Sequence, residues 1–166
     1  MMAELDRYEN ECLPDISLST RNIAFDEVRY FQAQSKSITV SNMGKVENCI
    51  LLISAVILTS FIKKVIANFR FIPKLDDSEF CKPWLWVQPC EGSLLPGLFL
   101  YRISSVSFAK LGSGESTEIV VTVFCDRETI AAFAKVGEAL EDILVLHLDS
   151  GKDLFVGAAN FVWSSI

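Results

Sequence analysis

Along much of this chain apolar and polar residues alternate one by one, the period of a strand that buries a single face. In 35–42, Ile38 and Val40 alternate with Ser37, Thr39 and Ser41. Ile23 and Phe25 alternate with polar neighbours, and Ile119, Val121 and Val123 share one face of 117–125. Phe69 and Phe71 precede Pro73, which predicts a short strand stopped by proline. Trp84-Leu-Trp-Val-Gln-Pro89 repeats the strand pattern, and Glu91-Gly-Ser predicts a break after it. Asn42-Met-Gly44-Lys45 is a turn signal. Two apolar runs, 141–149 and 153–162, flank Asp149-Ser-Gly-Lys152, which predicts a hairpin. Asp bonds its own backbone in such a turn, and Gly accepts a positive φ. Alternation sends Leu144, Leu146 and Leu148 to the core and Ile143, Val145, His147 and Asp149 to the opposite face. The helix signal lies in 3–11, where good helix formers carry Leu5 and Tyr8 at an i, i+3 spacing before Pro14. Many short strands and little convincing helix predict an all-β, immunoglobulin-like antiparallel sandwich preceded by a short N-terminal helix. No repeat of solenoid or propeller period occurs.

Composition narrows the class. At 166 residues with 51% apolar and 22% charged residues, the chain is long enough for one domain with a real core. A net charge of −6 argues against a nucleic-acid partner. Cys12, Cys49, Cys81, Cys90 and Cys125 form an odd set without a C-x-x-C pair. They suggest neither a disulfide framework nor a zinc site, and a reduced cytoplasmic setting is expected. The acidic, polar N-terminus excludes a secretory signal. His147 is the single histidine, with only Asp149 at a ligand-like spacing on its strand, so it reads as a strand histidine. Without a second histidine or a G-x-S-x-G elbow no hydrolase constellation can be built, and Leu111-Gly-Ser-Gly-Glu115 reads as a turn, not a phosphate loop. No catalytic residue, cofactor or metal is expected.

The run Glu141-Asp-Ile-Leu-Val-Leu-His-Leu-Asp149-Ser-Gly-Lys-Asp153-Leu-Phe155 resembles the closing hairpin of the ASH domain of OCRL-type and type II inositol polyphosphate 5-phosphatases. Leu5-Asp-Arg-Tyr-Glu-Asn10 with Pro14-Asp-Ile-Ser-Leu-Ser19 is similar to that family's linking helix and first strand. Phe25-Asp-Glu-Val28, Ile38-Thr-Val-Ser-Asn42, Phe69-Arg-Phe-Ile-Pro-Lys74 and Phe80-Cys-Lys-Pro-Trp-Leu85 extend the likeness over most of 4–162. The resemblance implies a linking helix in 1–13, an ASH-type sandwich in 14–162 and a tail in 163–166. The family's catalytic motifs, W-x-G-D-x-N and P-A-W-C-D-R, do not occur here, so the expected role is a non-catalytic module. By motif position, Phe155 with Leu5, Tyr8 and Glu9 of the helix is implied to dock a Rab-type small GTPase. Such docking implies a cytoplasmic protein peripheral to Golgi and endosomal membranes, held there through its partner. Two readings of Phe155 stay open, an exposed anchor on an edge strand and a core side chain. A free-standing MSP-like or ciliary scaffold that grips peptides, and a truncated fragment of a phosphatase gene, are the alternative functions.

Two segments depart from the family pattern, about 47–67 and 98–114; excising the second restores Pro96-Gly97-Glu115-Ser116. Both are expected to be lineage-specific insertions or translated intron. The apolar run 49–62 has 14 residues before Lys63-Lys64, short of a membrane span, and predicts an interfacial, packed or aggregation-prone segment. Lys63, Lys64, Arg70 and Lys74 are a candidate basic patch, with a solvated edge as the simpler reading. After Phe155-Val the family continues into a RhoGAP-like domain, so the chain is expected to be a fragment or an isolated module.

Overall fold

Valine, isoleucine and phenylalanine at every second position pack well on a pleated surface, and here they build two sheets with the core between them. The computed structural model describes residues 13–25, 27–29, 31–44, 66–97, 114–136, 141–159 and 162–163. The expected linking helix, most of both insertions and the end of the tail lie outside these residues.

The strands are β1 (Ile16–Leu18), β2 (Asn22–Ala24), β3 (Glu27–Val28), β4 (Gln34–Asn42), β5 (Ala67–Ile72), β6 (Leu85–Gln88), β7 (Glu91–Leu94), β8 (Ser116–Val123), β9 (Asp142–Leu148), β10 (Leu154–Ala159) and β11 (Val162–Trp163). One sheet has the order β1-β4-β8-β6 and the other β2-β10-β9-β5-β7; β3 and β11 pair separately. The first sheet is antiparallel throughout. In the second, the edge strand β2 runs parallel to β10, so the expected antiparallel plan fails at that margin. Ile38, Val40, Ile119, Val121 and Val123 from one sheet meet Phe69, Phe71, Leu144, Leu146, Leu148 and Val156 from the other, all buried. The alternation read from sequence therefore sets the inward faces correctly.

Three local features differ from expectation. Glu91-Gly-Ser-Leu94 is a strand, not a break: β7 pairs with β5, and Gly92 sits opposite Phe69. A helix, α1 (Arg127–Val136), joins β8 to β9. The Asp126 carboxylate accepts the Thr129 N–H at 2.8 Å, and this cap holds its pKa below the ordinary carboxylate value. In the hairpin turn the positive φ belongs to Ser150 (61°), not to the glycine. Gly151 is required instead by close approach, because a Cβ there would lie 2.3 Å from Leu148 Cδ2.

Asn42 ties the end from which both insertions leave. Its Nδ2 donates to Leu94 O at 2.9 Å, its Oδ1 accepts the Gly44 N–H at 2.8 Å, and its own N–H reaches Glu115 O at 2.9 Å. Leu95 and Glu115 are bonded twice, Glu115 N–H to Leu95 O and Leu95 N–H to Glu115 Oε2, each at 2.9 Å. The chain thus leaves near Gly97 and returns near Gly114 through a neck that is already closed. At the opposite end Asp142, with a side chain fully out of water, accepts from Lys74 Nζ and from the backbone N–H groups of Ile143 (2.9 Å) and Lys82 (3.0 Å).

Candidate docking face

The pairing of β9 with β10 fixes which side chains look outward. Leu154 stands opposite Leu146, Phe155 opposite Val145, Val156 opposite Leu144 and Gly157 opposite Ile143. Because Leu144, Leu146 and Val156 are fully buried, Phe155, Val145 and Ile143 must lie on the outer face. Phe155 is 60% exposed, which decides between the two readings of its position in favour of the surface. Ile143 is 52% exposed. Val145, expected to face away from the core, does so yet is only 7% exposed. Its register partners Phe155 and Ile72 flank it on either side and cover it.

β10 is only half covered along its edge. β2 pairs with Gly157, Ala158 and Ala159 alone, and the Gly157 N–H donates to Arg21 O at 2.8 Å. Alternation turns the backbone groups of Phe155 to the same side, where β2 has ended. A groove runs beside this open stretch, lined among others by Leu13, Ile16, Arg21, Lys152 and Leu154. Leu5, Tyr8 and Glu9, expected to join Phe155, lie outside the described residues.

A polar row borders the apolar one. His147 Nδ1 donates to Asp153 Oδ1 at 2.7 Å, and Asp149 lies 3.7 Å from His147 Nε2 and 3.9 Å from Arg70. Arg70 is thus beside a carboxylate, and Lys74 is engaged with Asp142 and Asp77. Partial burial works against the Lys74 charge, but its hydrogen bonds to Asp142 and Asp77 and their attraction outweigh that and raise its pKa; the Lys74 bond in turn lowers that of Asp77. Lys63 and Lys64, the other half of the basic patch, lie outside the described residues. Among the described residues no cluster of three His, Cys, Asp or Glu side chains is placed to hold a metal, and no helix is long and apolar enough to cross a membrane. Cys81, Cys90 and Cys125 are free thiols; burial pushes Cys125 up to about 11, with the neighbouring Asp126 adding to it.

Sequence reasoning placed Ile143 on the outer face but drew nothing from it. The missed signal is that an outward position on a central strand carries isoleucine where a solvated face needs a polar residue.

These layers define an all-β, immunoglobulin-like sandwich domain. Residues 52–160 match the family model described as inositol polyphosphate 5-phosphatase OCRL-like, ASH domain. The chain belongs to this OCRL-like ASH-domain family. It is also similar to the type II inositol 1,4,5-trisphosphate 5-phosphatase of Mus musculus, with 30% identity over 160 residues, 96% of this chain. The chain spans only 12% of that protein's length. Among solved structures it resembles the ASH/PapD-like domain of human CEP192 (PapD-like domain 7), with a TM-score of 0.43 and 7% identity, covering 93% of this chain and 89% of that one.

Proposed function

We propose that this chain is a non-catalytic targeting module that binds a Rab-class small GTPase through Phe155 and so places a phosphoinositide 5-phosphatase on Golgi and endosomal membranes. Membership of the OCRL-like ASH family supplies the phosphatase context. The observation that carries the reading is the position of Phe155, 60% exposed between inward neighbours of which Val156 is fully buried, on a strand whose edge is open beside it. An exposed aromatic ring on a rigid strand gives a large contact area at low entropic cost, the property of an interface anchor. Titration calorimetry of the chain against a panel of Rab proteins in both nucleotide states tests this. Phe155→Ala is expected to keep the thermal transition within a few degrees while weakening a GTP-loaded Rab by at least about tenfold. Undiminished affinity in that variant, or a collapsed fold, would defeat the reading.

A further inference from the structure

We infer that the partner is gripped across the outer face of the five-stranded sheet, on a strip running from Phe155 to Ile143, and that it presents apolar side chains bordered by lysine or arginine. This rests on the GTPase-binding reading and specifies its surface. Phe155, Val145 and Ile72 stand side by side on three adjacent strands, and the next row holds Gly157 and Ile143. Two of the three rungs in the first row are sealed or half-buried by their neighbours, while Phe155 and Ile143 remain over half exposed. Continuous apolar surface over three strands marks a contact site more than scattered exposed residues do. Gly157 adds no side chain between Phe155 and Ile143, and the Asn22 amide closes the space over it: a Cβ there would meet Asn22 Oδ1 at 3.1 Å.

The charge around the strip selects the partner's border. Asp149 and Asp153 flank it on the turn side, Glu91 lies across from Arg70, and exposed Glu141 lies two residues before Ile143. Arg70 is the one lysine or arginine among the described residues of this face, and it lies beside Asp149. Lys152 and Arg21 line the groove at the side of β10. A face with this excess of carboxylate attracts a basic rim and repels an acidic one.

The test is calorimetry with the GTP-loaded Rab that binds the unmodified chain most tightly, with a circular-dichroism melt on each variant. Ile143→Thr keeps a β-branched residue on the strand, and Ile143→Asn removes the apolar surface at the same exposed position. Each is expected to weaken binding at least about tenfold with an unchanged melt. Asp153→Asn should weaken binding several-fold and reduce its salt dependence. If Phe155→Ala abolishes binding while Ile143→Thr and Ile143→Asn bind normally, the strip is overturned and the proposed function stands. If Phe155→Ala binds normally, both fall. Tighter binding of Asp153→Asn would overturn the basic border.

Discussion

The two outer faces of the sandwich are made from the same kind of strand and treated very differently. On the four-stranded sheet, Ser17, Ser35, Ser37, Thr39, Ser41, Ser116 and Thr122 cover most of the outside. Their hydroxyls bond one another across the strands, Ser35 to Thr122 at 2.8 Å and Ser41 to Ser116 at 2.9 Å. The apolar exceptions are Val120 on β8, 38% exposed, and Trp86 on the edge strand β6, 48% exposed, which leans on Phe124 with 6.2 Å between ring centroids. On the five-stranded sheet the centre of the face is apolar and its margins are charged. A hydroxyl-covered face meets its hydrogen-bonding needs alone and in water. The other face leaves carbon exposed at its centre, and the sheet itself gives no reason for it. That contrast is what marks one face for contact with a second molecule.

Substitutions can break this contrast, beginning with the largest effect. Leu146→Ala should destabilise the chain by about 2–5 kcal/mol in urea unfolding, because it opens a cavity between the sheets. Ile143→Ala, three residues earlier but outward, should cost within about 0.5 kcal/mol. Equal costs would mean that the strand has no distinct faces. Asp142→Ala should come next, about 2–3 kcal/mol, because it strips partners from the Lys82 N–H and from half-buried Lys74. A midpoint unchanged in urea would show that this end is held by other contacts.

The interior should also show itself in alkali. Cys125 keeps its proton in the folded chain up to about 11, against an ordinary value of 9.0. Between those values the unfolded thiol ionises and the folded one does not, so stability falls by about 1.4 kcal/mol per pH unit. Burial raises the Cys81 thiol too, and its contribution has the same sign. Lys74, whose pKa is raised, stabilises the fold below its ordinary 10.5 and loses that contribution only as pH climbs through its folded value. Unfolding midpoints taken at pH 8, 9 and 10 should therefore decline, and Cys125→Ala should flatten most of the decline. The smallest effect belongs to the hydroxyl face: Ser41→Ala should shift stability by no more than about 0.5 kcal/mol and leave partner binding untouched.

Much of this architecture was legible in the sequence. Period two at Ile38–Val40, at Ile119–Val123 and at Leu144–Leu148 identified inward positions, since each side chain on a strand is committed to a face by its neighbours. The hairpin was legible because its turn chemistry is local. What stayed hidden depends on distant partners. Glu91-Gly-Ser-Leu94 has poor strand propensity and becomes β7 only because β5 lies beside it. Val145 is sealed by side chains from two other strands, which no window along its own strand contains. The helix after Asp126 has a readable start, an aspartate before Arg-Glu-Thr-Ile-Ala-Ala, but its 10 residues are too short for periodicity to stand out among the strands. Phe155 was placed by motif, while its exposure had to come from the register.

The paired Leu95 and Glu115 have a practical consequence. Because the fold already holds these two residues together, lengthening the connection between Gly97 and Gly114 with flexible chain should cost about 0.6 kcal/mol of ring-closure entropy for each doubling. That junction is therefore a port where a fluorescent protein or affinity tag could be spliced in without disturbing the layers beneath.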